Sequence, residues 1–219
     1  MAVQESHDRG VSDADEAVAL SSLLSKRIMP HTIPPEDVIR VLNRAKIRFV
    51  LVGAYGIARW KKEGRATFDV DVVVAARQVK KAVAALLKAF PDLEAEDLSV
   101  VTRLREPEKR QVVIDVMKPA QQPYREVFKH TLQAVVGKES CAVPSLEMAL
   151  VMKFAAMTSL YRAAEDKHRD AFDFIRIAKH NDAIDRNKAA SLASLIYPEG
   201  GKDLLEMLDK ARAGETINL

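Results

Sequence analysis

Apolar positions along the chain follow two rhythms. Between about residues 36 and 143, short apolar runs alternate with helical patterns; from Ser145 onward the pattern is wholly helical. Arg48 to Val52 is a compact apolar run and predicts a buried strand. It ends in Gly53-Ala54-Tyr55-Gly56, after which a helix is expected to about Lys62, with Gly64 as its breaker. Phe68 to Ala75 predicts a second strand, and Val79 to Phe90 a helix with Val83, Leu86 and Leu87 on its apolar face. Leu98 to Leu104 and Gln111 to Met117 read as strands joined by the charged turn Arg105 to Arg110. A helix near Tyr124 to His130 and two short strands, Thr131 to Val136 and Ser140 to Val143, complete this half.

Upstream, residues 1 to about 12 are polar and expected to be disordered. Asp13 to Lys26 carries Val18, Leu20, Leu23 and Leu24 as a partial helical stripe. Three prolines between Pro30 and Pro35 mark a linker, and Pro35 suits the start of a helix over Glu36 to Lys46 that buries Val38, Ile39, Val41 and Leu42. Downstream, helices are expected at about 145–162, 166–180, 185–196 and 200–212, the first opened by Ser145 and Glu147 after Pro144. The expected fold is α/β (α+β): a small mixed sheet with flanking helices and a C-terminal helical bundle. The expected division is residues 1–34 as N-terminal helix and linker, 35–143 as the core, and 144–219 as the helical unit.

Composition narrows the class. The chain has 219 residues, 48% of them hydrophobic and 30% charged, as in a globular protein with a substantial core. A net charge of +3 permits phosphate or nucleic acid ligands without demanding them. Cys141 is the single cysteine, which excludes a disulfide framework or thiolate metal site and suits a small buried residue. The polar, acidic N-terminus is unlike a signal peptide and no apolar run reaches membrane-spanning length, so a cytoplasmic protein with no membrane partner is expected. His7, His31, His130, His168 and His180 show no metal-ligand spacing, and no Ser/His/Asp or Cys/His set stands out.

Candidate chemistry lies in isolated charges. Residues two apart in a strand share a face, so Asp69 and Asp71 present paired carboxylates within an apolar run. Such a pair repels itself unless a cation or protons relieve it, or unless it is a wet strand end. Asp115 is a third lone acid, inside the apolar run Val112 to Met117. Lys153 is the only charge between Met148 and Met157, on the helix face of Leu146, Leu150, Met157 and Leu160. The clusters Arg59-Trp60-Lys61-Lys62 and Arg103 to Arg110 suit either an RNA backbone, with Trp60 as a stacking platform, or ordinary solvated charges around a half-buried Trp.

A strand, a Gly turn and a helix, then Asp-x-Asp on the next strand and a single Asp on a later one, resembles the polymerase-beta-like nucleotidyltransferase superfamily. The finer likeness is to the AbiEii-type toxins and related nucleotidyltransferases, on Arg65-Ala-Thr67-Phe-Asp69, Lys153 and Arg169-Asp170-Ala-Phe-Asp173. The resemblance implies two Mg²⁺ ions (or Mn²⁺) held by Asp69, Asp71 and Asp115, with Asp115 activating an acceptor hydroxyl. It implies a nucleoside triphosphate (NTP) substrate near Gly53, Ala54, Arg65, Thr67, Lys153 and Asp170. Ala54 stands where Gly or Ser is usual, which leaves the backbone amide but no hydroxyl. Lys153 would contact the phosphates, pair with Asp170 or Asp173, or do both. The implied reaction is transfer of a nucleoside monophosphate to RNA, including the 3′ end of a tRNA, or to a protein side chain, with an antitoxin as partner. The alternatives are a small-molecule (antibiotic-type) nucleotidyltransferase and an inert binding module of the same fold.

Overall fold

Strand β2 (Val70–Val74) occupies the centre of a seven-stranded mixed sheet. The computed structural model describes residues 17, 19–25, 27, 33–64 and 66–218. On one side β2 pairs antiparallel with β1 (Phe49–Leu51), which lies parallel to β7 (Glu139–Pro144), itself antiparallel to the edge strand β6 (Thr131–Val136). On the other side β2 runs parallel to β5 (Val112–Met117), which pairs antiparallel with β4 (Val101–Arg105), and β4 with the edge strand β3 (Glu94–Asp97). The sheet is therefore mixed, as the sequence predicts.

Alternation along the central strands divides the core in two. Val70, Val72 and Val74 face one side, with Leu51, and pack under helices α1 (Pro35–Arg44) and α3 (Val79–Ala89). Val73, Val50 and Val52 face the other side and pack with the C-terminal helices α4 (Leu146–Thr158), α5 (Ala164–His180), α6 (Arg186–Ala193) and α7 (Gly200–Ala213). α3 buries Ala82 and Leu86 completely; a side chain such as Leu86 contributes about 1.5–3 kcal/mol on burial. Ser145 caps α4 by accepting a hydrogen bond from the Met148 amide.

Several expectations need correction. Asp69 lies just before β2, so only Asp71 of the pair is on the strand. The expected strand from Leu98 begins at Val101, and the polar segment before it forms β3, whose four residues are all exposed. Tyr124 to His130 contains turns and a short 3₁₀ turn at Val127–Lys129 in place of a helix. α4 ends at Thr158, four residues short of the expected 162. The expected helix from Asp13 to Lys26 falls partly outside the described residues; 19–25 are helical. Cys141 is buried, and burial pushes its thiol up to about 12. Among the described residues, no helix is long and apolar enough to cross a membrane.

Candidate active site

The sheet brings the acids together by register. Parallel pairing places Asp71 opposite Asp115, and antiparallel pairing places Asp115 opposite Arg103. Asp69 joins them from the segment leading into β2, and the three offer carboxylate oxygens that all lie within 4.8 Å of one another. All three are half-buried. Burial and the charges of Asp69 and Asp115 push the Asp71 carboxyl well above its usual range. Burial also raises Asp115, to about 6, with Asp69 adding to the shift and Arg103, at 3.7 Å, opposing it. Asp69 is fixed by Thr67, whose hydroxyl donates to Asp69 Oδ1 at 2.7 Å.

Above this floor stands the N-terminus of α2 (Gly53–Lys61). Gly53 has φ +60°, and a Cβ there would fall 1.8 Å from Asp71 Oδ2. Only glycine allows the turn to pass so close to the acid. Among the described residues, no side chain caps this helix end. Ala54 follows in the first turn, so the N-terminal, positive end of the helix dipole lies beside Asp71. The two ends of α2 have different tasks: at its C-terminus Asn181 Nδ2 donates to the Trp60 carbonyl at 2.7 Å, while His180 Nδ1 lies 2.5 Å from the Lys61 carbonyl.

The third wall is a chain of alternating charges. Lys61 lies 2.5 Å from Asp173, Asp173 lies 2.8 Å from Lys153, Lys153 lies 2.8 Å from Asp170, and Asp170 lies 2.5 Å from Arg162. Lys61, Asp170 and Asp173 are buried. Burial opposes the charge on Lys153, yet Asp173 and Asp170 outweigh it and hold its ammonium above its usual value. Burial likewise opposes the Asp173 charge, but Lys153 and Lys61 keep it below the usual carboxylate range. Both of the ion pairs open to Lys153 are thus formed at once.

These walls enclose a cleft of about 390 Å³. Gly53, Ala54, Thr67, Asp69, Asp71, Asp115, Lys153 and Asp170 all line it, so the structure collects every expected site residue that it describes. Arg65 lies outside the described residues. Arg162, Arg103 and Tyr124 also line the cleft and were not singled out individually as site residues. Arg162 follows two exposed residues, Leu160 and Tyr161, so no apolar periodicity marks it.

The two basic clusters do not form open phosphate grips as groups. Lys61 is buried against Asp173, and Trp60 donates to the Pro144 carbonyl at 3.0 Å while Arg59 stacks over its ring. Arg103 faces Asp115, and Arg105 pairs with Glu96 across the β3–β4 ladder.

The donor set is made of hard carboxylate oxygens, which suits Mg²⁺ or Mn²⁺. Mutual repulsion among the three acids, and Asp115 Oδ1 buried without a hydrogen bond among the described residues, fit a cation between them.

No protein-family description matches the chain, and no curated protein sequence matches it. Several solved structures are similar to it, three of which follow. An antigenic nucleotidyltransferase-like protein from Paracoccidioides brasiliensis is 18% identical, with 87% of this chain and 92% of that one covered and a TM-score of 0.49. The antibiotic-resistance factor ANT(2'')-Ia is 12% identical, with 82% and 87% covered and a TM-score of 0.48. The lincosamide antibiotic adenylyltransferase LnuA, lincomycin-bound, is 16% identical, with 67% and 95% covered and a TM-score of 0.46. At this distance the chemistry of the cleft rests on its own side chains.

Proposed function

We propose that the protein is a divalent-metal-dependent nucleotidyltransferase that moves a nucleoside monophosphate from an NTP to an acceptor hydroxyl. The observation that carries this reading is the juxtaposition of Gly53 with Asp71. It sets an uncapped helix N-terminus, which receives phosphate, against three convergent carboxylates, which receive cations. Asp69, Asp71 and Asp115 would hold the metal, which when bound neutralises phosphate charge and favours displacement at phosphorus.

The chain's own groups supply the rest. The Gly53 turn and the following amides hold the triphosphate against the acid floor. Lys153 and Arg162 add positive charge beside the phosphates, and their pairing with Asp170 fixes where that charge sits. Asp115, across the sheet from Asp71, is placed to accept the acceptor's proton as the new bond to phosphorus forms and pyrophosphate departs. Thr67 keeps Asp69 from turning away.

The AbiEii-like pattern supports RNA or a protein hydroxyl as acceptor, with a cognate antitoxin as partner. A second reading, a small-molecule acceptor, is favoured by the pairing of Arg103, Arg105 and Lys61 with acids, which weakens the basic clusters as a backbone grip. The test is incubation with each of four α-labelled triphosphates, Mg²⁺ and cell extract, followed by separation of RNA, protein and small molecules. Label in RNA or protein that vanishes with Asp71→Asn supports the first reading. Label confined to small molecules selects the second, and no label anywhere overturns the enzyme reading in favour of an inert module.

A further inference from the structure

The metal-site loop is tied to a segment that lies outside the sheet and its flanking helices. Residues 19–25 are helical, and among them Ser25 is 1% exposed. Its hydroxyl donates to the Ser21 carbonyl at 2.8 Å. The same oxygen accepts two hydrogen bonds, from the Tyr55 hydroxyl at 3.1 Å and from the Thr67 amide at 3.1 Å. Tyr55 lies in α2, the helix whose first residue is Gly53, and Thr67 is the residue whose hydroxyl holds Asp69. Leu20 closes over the same loop, since a Cβ on Gly64 would meet Leu20 Cγ at 2.8 Å.

We infer that Ser25 is a positioning residue for the metal site: its hydroxyl sets Thr67, which in turn aims Asp69, and joins that loop to α2. The inference rests on the metal reading above. Its physical content is geometric. Ser25 uses one donor and two acceptor sites, the full capacity of a hydroxyl, so the oxygen has a single satisfied orientation. Residues 66–69 precede β2, which begins at Val70, and the bond from the Thr67 amide to Ser25 anchors them from outside the sheet. A polar partner held this way tunes a ligand it never touches.

The experiment uses the full chain and Mn²⁺ with a non-hydrolysable triphosphate, measured by calorimetry, beside hydrogen exchange of the Thr67 amide in the metal-free protein. Ser25→Ala is expected to speed Thr67 exchange and to raise the Mn²⁺ dissociation constant about tenfold. Ser25→Thr, which keeps the hydroxyl, is expected to restore both. Tyr55→Phe removes one bond to Ser25 but leaves the Thr67 bond, and its Mn²⁺ affinity is expected to stay within about twofold of wild type. Unchanged affinity in Ser25→Ala overturns the inference and leaves Ser25 as a tether for the N-terminal segment. Equal losses in Ser25→Ala and Tyr55→Phe also overturn it, since general loosening then explains both. Absence of Mn²⁺ uptake by the wild type overturns the metal reading itself and this inference with it, an outcome distinct from the other two.

Discussion

Gly53 approaches Asp71 more closely than any residue with a side chain could: the position a Cβ would take on residue 53 is 1.8 Å from Asp71 Oδ2. The turn that would receive the triphosphate and the acid that would receive the metal are thus built as one unit. Gly53→Ala must push the carboxylate aside or open the turn, and it places a side chain at φ +60°. The expected cost is about 1–3 kcal/mol of stability. Triphosphate and metal binding should fall together. Calorimetric binding and urea unfolding check this; retention of wild-type affinity for both ligands would show that the turn is not part of the site.

The acids carry a pH signature. The Asp115 carboxyl is raised from 3.8 to about 6 by burial and by Asp69, and Asp71 is raised well above its usual range. A carboxyl whose folded pKa exceeds its unfolded value binds its proton more tightly in the native state. Its effect on stability is therefore absent below the unfolded value and grows unfavourable as pH rises towards the folded one. For Asp115 this loss between about pH 4 and pH 6 amounts to roughly 3 kcal/mol at most. Metal-free Asp115→Asn is thus expected to lose its stability deficit, or gain an advantage, over wild type as pH rises through this window. Adding Mn²⁺ should reverse the order at pH 7. Parallel melting curves of the two proteins across the window, with and without metal, would contradict the acid cluster.

Much of the site is legible in the chain because each acid interrupts an apolar run: Asp71 between Val70 and Val72, Asp115 between Ile114 and Val116. A charge in such a run has few structural excuses. Lys153 is legible for the same reason, and its two partners, Asp170 and Asp173, sit one helical turn apart. Lys61 was hidden by its neighbours, since Arg59 and Lys62 make the segment read as a solvated face. Its burial depends on Asp173 arriving from α5, a contact between residues 112 positions apart. β3 was hidden for a different reason: Glu-Ala-Glu-Asp at an exposed sheet edge has no apolar pattern, and its pairing with β4 decides its shape. The hydrogen bond from Thr67 to Ser25 joins residues 42 positions apart through a backbone amide, which no side-chain pattern records.

The alternating chain of charges predicts how its members fail. Lys153→Met keeps the apolar stem and removes the ammonium between Asp170 and Asp173. Each acid keeps one further cation, Arg162 and Lys61 respectively, so the expected loss is about 3 kcal/mol, the low end for a broken buried pair. If Lys153 also serves the phosphates, triphosphate affinity falls under conditions where the variant is fully folded. A stability loss with unchanged affinity would assign Lys153 to tying α4 to α5 alone.

The acceptor can be distinguished by salt. A single-stranded RNA end gripped through its phosphates should bind with a log–log salt slope of about −0.7 per contact. Because Arg103, Arg105, Lys61 and Arg162 are engaged by acids, the expected number of contacts is small, about two or three, with exposed Arg169 at the cleft rim as one of them. The expected slope is therefore about −1.4 to −2.1, and Arg169→Gln should lower its magnitude by roughly one contact. Arg169 suits this test because its pairing with Asp166 at 3.2 Å is exposed and contributes little to the fold. A small neutral acceptor should bind with a slope near zero, unchanged by Arg169→Gln. Acceptor binding measured by fluorescence anisotropy from low to physiological salt decides between them. A flat profile for every RNA tried, together with salt-independent binding of a neutral polyhydroxyl compound, would transfer the proposal to the small-molecule reading.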